Sequence, residues 1–329
     1  MITSVAMCTY NGQKYIVQQL ESIKEQTVPV DEIIICDDCS TDQTVLIIKE
    51  YINNFTIPIR LYVNHRNLGY THNFEKAISL CCGDIIFLSD QDDIWLPHKV
   101  ETICNYFKCH PTIDFVFTNG ILINAFGVNT YAHSLFETVG FNSYNKKIFD
   151  QGLYFDVIGL YGRVTGATSA MRASFVPDCI PFPKTSVFAS IHDEIIAVRA
   201  AYKNKIGYID KQLIKYRLHP DQSVGLALMM KFPPQSWEKA DLTILWHETL
   251  ADSLNTQEIE TIRFMNKRFW AARSPQGIWN ICALMLSGQY KRMYPLCYKQ
   301  VFRRDIKGIL VRTRDCFKRI FLKKSESYS

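Results

Sequence analysis

Three carboxylates, those of Asp90, Asp92 and Asp93, stand together where an apolar run of the chain ends. Residues 85–88 before them are Ile, Ile, Phe and Leu, which is typical of a buried strand. Hard cations such as Mg²⁺ and Mn²⁺ take oxygen ligands, commonly one or two carboxylates together with the phosphates of a bound nucleotide. The spacing therefore indicates a metal site, although the same residues could form a solvated loop in which Asp93 caps the next helix.

The segments around this cluster alternate between two patterns. Short β-branched runs predict strands, and apolar residues at helical spacing between them predict helices. The predicted strands are residues 2–8, 32–36, 59–63, 85–88 and 114–117, and the predicted helices are residues 15–24, 45–52 and 74–80. Ser40 and Gln43 form a capping box before the second helix, and Pro97 suits the first turn of another. This order predicts an α/β fold with a mostly parallel, Rossmann-like sheet flanked by helices.

Polar residues follow three of the predicted strands. Tyr10 and Asn11 come after the first, Asp37 and Asp38 after the second, and the acidic cluster after the fourth. Because ligands of parallel sheets bind at the carboxyl ends of the strands, all three segments are expected to share one rim. Acidic, amide and aromatic side chains collected at one rim favour a binding site over simple solvation.

The second half of the chain changes character twice. Residues 125–150 lack periodicity and predict a long loop over the site. Further predicted elements are strands at residues 164–171 and 213–219 and a helix at residues 186–202. Prolines after residue 219 mark a hinge. We therefore expect a catalytic domain over residues 1–225 and a mainly helical C-terminal region over residues 226–329.

Seven short motifs, in this order, resemble those of the family 2 glycosyltransferases. They are Tyr10-Asn11-Gly12, Asp37-Asp38-x-Ser40-x-Asp42, Asn67-Leu68-Gly69, Asp90-Gln91-Asp92-Asp93-Ile94-Trp95, Thr165-Gly166, His192-Asp193 and Tyr216-Arg217-x-His219. The resemblance covers residues 1–225 and is nearest in character to bacterial polysaccharide rhamnosyltransferases. It implies a GT-A fold, a sugar donor linked to dTDP or UDP, a divalent cation (Mg²⁺ or Mn²⁺) and inversion at the anomeric carbon.

The resemblance also implies roles for residues of the donor site. Tyr10 would pack on the nucleobase and Asp37 would accept one of its N–H groups, with Asn11 and Asp38 beside them. Asp90 would approach the ribose or the sugar. Alternatives stay open from the residues alone, since Tyr10 could be a plain strand-end aromatic. Asp37 could cap the following helix, and Asp38 could do so or bind a neighbouring backbone amide.

The remaining roles concern the metal and the reaction. Asp92 would be the principal metal ligand, while Arg217 and His219 would lie near the diphosphate and His219 could reach the metal. Asp193 would be the general base, because a positioned carboxylate that takes the acceptor's proton contributes typically ~10²- to 10⁴-fold. Glu194 is the alternative base, since neighbouring helical residues point about 100° apart.

The C-terminal segment holds much of the positive charge. Residues 301–324 contain nine Lys or Arg and two Asp, whereas the whole chain has a net charge of only +5. Their apolar residues fall on one side of a helical wheel, which suits an anionic membrane surface, although a packed helix with a solvated basic face is the alternative. Nucleic acid is not expected as a partner, because the acidic rim would repel phosphates.

The rest of the composition favours a cytosolic setting. Eleven scattered cysteines without an apolar signal segment predict reduced thiols, and no run reaches the ~20 apolar residues that span a bilayer. We therefore expect a peripheral protein on the inner face of the cytoplasmic membrane, with a lipid-linked glycan as acceptor.

Three rival functions remain. A haloacid-dehalogenase-like phosphohydrolase also carries an Asp-x-Asp pair after a strand, but usually at the start of its chain. A nucleotidyltransferase tends to begin with a Gly-rich basic loop, which Tyr10-Asn11-Gly12-Gln13 is not. A catalytically silent glycan-binding scaffold is the non-enzymatic rival, and the presence of both Asp92 and Asp193 argues against it.

Overall fold

The computed structural model describes most of the first two thirds of the chain and parts of the last third. The described residues are 1–53, 55–129, 131–159, 163–182, 191–222, 260, 263–264, 267–268, 276–294 and 298–310. The chain divides into two compact units, Met1–Trp246 and His247–Ser329. The expected domain boundary near residue 225 lies outside the described residues and stays a prediction.

Within the described residues of the first unit, eight strands form one sheet. They are β1 (Thr3–Thr9), β2 (Glu32–Asp37), β3 (Ile59–Val63), β4 (Ile85–Ser89), β5 (Ile94–Trp95), β6 (Phe115–Asn124), β7 (Ser169–Arg172) and β8 (Ile206–Leu218). Their order in the sheet is β3-β2-β1-β4-β7-β6-β8-β5. Strands β1 to β4 pair in parallel, as β6 does with β8, whereas β5 and β7 run antiparallel to their neighbours.

Helices flank this sheet. They are α1 (Ile16–Lys24), α2 (Thr44–Ile52), α3 (Tyr70–Leu80), α4 (Lys99–Cys109), α5 (Leu135–Thr138), α6 (Ser143–Phe149), α7 (Tyr154–Ile158), α8 (Val176–Cys179) and α9 (His192–Tyr202). Strands β1, β2 and β4 are buried along almost their whole length, which explains their continuous apolar sequences. The predicted α/β fold with a mostly parallel sheet is confirmed, and β1, β2 and β4 end at one edge of it.

Two local predictions around the rim are wrong. Helix α2 begins at Thr44 without a side-chain cap, and the Ser40 hydroxyl donates to Asp37 rather than forming a capping box. Helix α4 begins only at Lys99, so Asp93 does not cap it. The two-residue strand β5, which no pattern predicted, separates Asp93 from that helix by pairing with β8.

The predicted long loop over residues 125–150 is also wrong in part, because it contains helices α5 and α6. Ser134 and Glu137 form a capping box at α5, and Asn142 caps α6. Phe136 and Phe141 from this segment pack edge-on against each other in a cluster of rings on the sheet. The capping residues can be recognised in the sequence, but the segment lacks the regular apolar spacing that predicts helices.

The described part of the second unit is helical, as expected for the C-terminal region. It contains α10 (Gly277–Leu286), α11 (Gln289–Met293) and a helical run over residues 298–310. Most of the predicted basic tail, from residue 311 onward, lies outside the described residues. None of the helices described in either unit is both long and apolar enough to cross a bilayer.

Candidate active site

A cavity of about 400 Å³ opens at the edge of the sheet where β1, β2 and β4 end. Its wall includes Tyr10, Asp38 and Asp90, each of which follows one of these strands. A second part of the wall comes from the start of α9 and includes Asp193. The structure thus brings together the three rim segments and the later His-Asp motif, which are spread over more than half of the chain.

The acidic loop, residues 90–93, joins β4 to β5 and is held from the far end of β8. The Nε2 atom of His219 lies 2.8 Å from Oδ2 of Asp92. The backbone N–H of Arg217 donates to Oδ1 of Asp93 at 2.9 Å, and its Nε donates to the carbonyl of Asp92 at 2.6 Å. Adjacent carboxylates are therefore fixed by different partners, whereas the Asp90 carboxylate, which lines the cavity, has no hydrogen bond to another of the described residues.

Burial of this loop changes its acidity. It raises the pKa of Asp90 above the ordinary carboxyl range, and the charge of Asp92 adds to the rise. The pKa of Asp93 is raised in the same way. A cation placed in the cavity would favour the charged forms of these groups.

Lys99 supplies a buried positive charge close to this loop. Its Nζ donates to the carbonyl of Ala167 at 2.6 Å and lies 4.1 Å from the centroid of the Trp95 ring. Burial lowers the pKa of Lys99 to about 7, while the charges of Asp93 and Asp90 oppose that fall. The side chain therefore lies between Trp95, which follows the acidic loop, and the segment that holds Asp193. Sequence reasoning missed it, since a lysine one residue into an amphipathic helix is normally exposed.

Gln91 fixes the end of β1 and was also missed as a site residue. Its side-chain amide accepts from the backbone N–H of Tyr10 at 2.8 Å and donates to the carbonyl of the same residue at 2.9 Å. A Cβ on Gly12 would lie 2.1 Å from Oε1 of Gln91, so only glycine leaves room for this contact. The Tyr10 ring is left 42% exposed at the cavity, where a planar ligand could pack on it.

Asp37 and Asp38, although adjacent, have different surroundings. Asp37 is fully buried and accepts from the hydroxyls of Thr9 at 2.7 Å and Ser40 at 2.6 Å. Asp38 lines the cavity and accepts from the backbone N–H groups of Leu68 and Gly69. Asp38 thus binds backbone amides, which is the alternative interpretation of this residue. The expected contact of Asp37 with the nucleobase stays a prediction.

Asn11 joins the loops that follow β1 and β2. Its Oδ1 accepts from the backbone N–H of Thr41 at 2.9 Å, and its own N–H donates to the hydroxyl of Ser40. With a φ of 49°, Asn11 adopts the left-handed conformation that Asn tolerates better than most residues. It shapes the rim without lining the described cavity, and its role in donor binding stays a prediction.

Asp193, the expected base, lies at the cavity wall and is held by two backbone groups. One carboxylate oxygen accepts from the backbone N–H of Gly166 at 2.7 Å and the other from the N–H of Glu194 at 2.7 Å. Burial, with a further contribution from the charge of Glu194, raises the pKa of Asp193 to about 7. Both carboxylates line the cavity, so the choice of Asp193 over Glu194 as the base stays a prediction.

His192 lies beside this carboxylate, and neither of its ring nitrogens has a hydrogen-bond partner within the described part of the chain. Its ring stacks on Phe74 with 3.7 Å between the centroids, and burial lowers its pKa to about 3. His192 is therefore a packed, neutral side chain.

Arg217 is almost fully buried and bonds within the protein. Its guanidinium donates to the carbonyls of Asp92 and Ala125 and to the side chain of Gln18, and it lies 4.6 Å from the centroid of the Tyr15 ring. A contact with a diphosphate would require it to give up some of these partners. The expected phosphate contact stays a prediction, while the observed geometry makes Arg217 a support for the acidic loop.

Few of the described side chains could hold the expected Mg²⁺ or Mn²⁺. Within the described residues of both units, no three His, Cys, Asp or Glu side chains are grouped as metal ligands would be. Asp92 and His219 do form a close pair at the acidic loop. Because such ions often take one or two protein ligands and complete their shell with water and substrate phosphates, the pair fits a metal that a nucleotide completes and does not fit an all-protein cage.

Comparison with known proteins places this site in a family. Residues 4–172 match the family described as Glycosyl transferase family 2. The chain is 32% identical over 125 residues to "Putative glycosyltransferase EpsE" of Bacillus subtilis, covering 38% of this chain and 45% of that protein. It is 28% identical over 241 residues to "dTDP-rhamnosyl transferase RfbG" of Shigella flexneri, covering 68% and 75%. The chain thus spans less than half of the first relative and three quarters of the second.

The fold has a solved counterpart. The structure is similar to "Crystal structure of S. aureus TarS 1-349 in complex with UDP-GlcNAc", with a TM-score of 0.55 and 21% identity over 85% of this chain and 80% of that one. This likeness confirms the predicted GT-A architecture. Since the family match covers half of the chain and includes the acidic loop, the chain belongs to glycosyl transferase family 2.

Proposed function

We propose that the protein transfers a hexose from a nucleotide-diphosphate donor to a hydroxyl of a growing, lipid-linked polysaccharide, with inversion at the anomeric carbon and with Mg²⁺ or Mn²⁺. One observation carries the proposal. The cavity that is walled by the acidic loop also contains a buried carboxylate, Asp193, which is oriented by two backbone N–H groups and has its pKa raised to about 7. A base of this strength is suited to accept a proton near neutral pH.

The reaction follows from this placement. Deprotonated Asp193 takes the proton of the acceptor hydroxyl as that oxygen bonds to the anomeric carbon, and the bond from this carbon to the diphosphate oxygen breaks. The electron pair leaves with the diphosphate. Because one nucleophile displaces one leaving group without a covalent intermediate, the configuration inverts. Burial keeps Asp193 basic enough for this task, and the N–H of Gly166 fixes the direction of its carboxylate.

The charge of the cavity supports a divalent cation. Acidic side chains line it, and no Lys or Arg is found among its lining residues within the described part of the chain. An anionic diphosphate would be repelled there unless a cation came with it. Asp92 and His219 would hold that ion, which when bound would act as a Lewis acid on the leaving phosphate. His219 also contacts the Tyr15 ring, 4.8 Å between centroids, which limits its movement.

The donor is proposed from the relatives and the rim. RfbG is named as a dTDP-rhamnosyl transferase, and TarS was crystallised with UDP-GlcNAc. We propose a dTDP- or UDP-linked sugar, with rhamnose as the first candidate. Tyr10, held by Gln91, would pack on the base, and Asp38 and Asp90 would lie along the nucleoside and the sugar.

The acceptor and location are proposed from charge. The basic C-terminal segment fits an anionic membrane surface, so a lipid-linked acceptor at the inner face of the cytoplasmic membrane would bring substrate and enzyme together. We propose with it a catalytic domain at residues 1–225 and a helical region at residues 226–329.

The test is a screen of nucleotide sugars for metal-dependent hydrolysis and transfer, with Mn²⁺ and with Mg²⁺. One donor should be turned over well above the rest, and Asp193→Asn should abolish most of that turnover. Turnover of no donor, or unchanged turnover in Asp193→Asn and Asp92→Asn, would favour the catalytically silent scaffold. A covalent phosphate on Asp90 would favour the phosphohydrolase.

A further inference from the structure

One side of helix α10 is apolar and uncovered. Trp279 is 78% exposed, Leu286 is 88% exposed and Ile278 is 39% exposed. Ala283 is also exposed, and Cys282 is partly so. At 100° per residue these five positions fall within an arc of about 140°, so they form one continuous face. We call these five residues the α10 face.

The opposite side of the same helix is packed. Ile281 is fully buried and Leu284 is nearly so. The helix therefore already has the apolar contacts that attach it to its own unit, and the α10 face is additional to them. Single exposed apolar residues are ordinary, but a face that joins Trp, Leu and Ile marks a site of interaction.

The charge beside this face is strongly positive. Residues 276–310 contain six Lys or Arg and a single acid, Asp305. That acid is engaged within the unit, since it accepts from the guanidinium of Arg268 at 2.7 Å and from the hydroxyl of Tyr290 at 2.5 Å. Lys291 and Arg292, which follow the α10 face along the chain, are exposed. The partner of this region is therefore expected to be anionic as well as apolar.

These features favour a lipid surface over a second copy of the chain. A symmetric dimer through the α10 face would bring two identical basic regions together, which like-charge repulsion opposes. The helix has ten residues, about 15 Å, and is too short to span a bilayer. Helix α10 itself carries no charge, but an exposed apolar face that includes a Trp and is followed along the chain by cations suits contact with an anionic membrane interface.

We propose that the α10 face docks in the plane of an anionic phospholipid surface, with Lys291 and Arg292 at the headgroups. The proposal rests on the proposed function in one respect, since it names the surface through which the enzyme would approach a lipid-linked acceptor. It differs from docking by the basic tail, because the apolar anchor lies in residues 278–286.

The test uses the full chain and sedimentation with vesicles of one part phosphatidylglycerol to two parts phosphatidylcholine. The variant Trp279→Ser/Leu286→Ser should bind these vesicles at least about tenfold more weakly than the unsubstituted chain. Vesicles of phosphatidylcholine alone should bind both chains weakly. The matched control is Phe126→Ser/Leu46→Ser, which removes an aromatic and a leucine that are 90% and 55% exposed in the first unit, and it should bind as the unsubstituted chain does.

Three outcomes would overturn the proposal. Equal binding of the Trp279→Ser/Leu286→Ser variant and the unsubstituted chain would assign docking to the tail. An equal loss of vesicle binding in the Phe126→Ser/Leu46→Ser control would show that the loss is not specific to the α10 face. A dimer that the α10 variant dissociates, seen by light scattering, would identify a second copy as the partner. Melting temperature and donor hydrolysis in solution are measured on every variant, so that misfolding or failure of the proposed function is seen separately from loss of binding.

Discussion

The pH dependence of catalysis should show which of the two carboxylates at the start of α9, Asp193 or Glu194, is the base. If Asp193 is the base, its pKa of about 7 sets the acidic limb of kcat/KM for the free enzyme. The deprotonated fraction then rises from about one tenth at pH 6 to about nine tenths at pH 8, and kcat/KM with it, about tenfold. Replacing Glu194 with Gln removes a charge that raises the Asp193 pKa, so the limb should move to lower pH while its plateau stays in place.

Asp193→Asn should behave differently from this neighbouring change. The asparagine keeps one acceptor oxygen but turns an amide N–H₂ toward one of the two backbone donors, Gly166 N or Glu194 N. The loss of one such bond costs about 1 kcal/mol, and removal of a buried carboxylate offsets part of it. The fold should therefore survive, while kcat falls ~10²- to 10⁴-fold because the base is gone.

The assay is initial-rate transfer or hydrolysis of the donor found by the screen, between pH 5.5 and 9, with melting temperature measured for each variant. A collapse of kcat in Glu194→Gln together with an active Asp193→Asn would assign the base to Glu194 and refute the reasoning. A limb that stays in place in Glu194→Gln would assign the titration to Asp90, whose pKa is raised by burial and by Asp92.

Three further changes test other parts of the site. Gly166→Ala places a Cβ 2.7 Å from Nε2 of His192 and should lower kcat about 10²-fold by displacing the neighbouring base, with the melting temperature showing whether the fold is kept. His219→Gln should weaken Mn²⁺ binding about 10- to 100-fold in the presence of UDP, followed by electron paramagnetic resonance; unchanged affinity would remove His219 from the metal site. Lys99→Met should lower the free energy of unfolding in urea by about 1 to 3 kcal/mol, because the buried carbonyl of Ala167 loses its donor, whereas Lys76→Met should cost far less.

Much of the catalytic rim could be predicted because strand ends in a parallel sheet have a fixed geometry. Continuous apolar runs identify β1, β2 and β4, and the parallel pairing of these strands brings the residues that follow them to one edge. The rule needs only chain order and residue type. It therefore placed Tyr10, Asp38 and Asp90 at one cavity without any side-chain detail.

The same rule does not say which of two neighbours reaches the cavity. Asp37 and Asp38 are the same residue type at adjacent positions, yet Asp37 bonds to Thr9 and Ser40 while Asp38 reaches the cavity wall. That choice depends on the backbone path at the end of β2, which local sequence does not record. Lys99 was missed for a related reason, since only the packing of α4 beneath the loop shows that its amine is enclosed.

The acids of the acidic loop are positioned by residues that lie far along the chain. Asp92 and Asp93 are distinguished by contacts with His219 and Arg217, which lie more than 120 residues later at the end of β8. That strand reaches the loop because it pairs with β6 through two irregularities in register and with β5 beside the loop itself. Contacts of such long range form only after much of the sheet has assembled. The loop can therefore acquire distinct roles for its carboxylates only in the completed fold, and a substitution that shifts β8 should alter the proposed metal site without touching any of its acids.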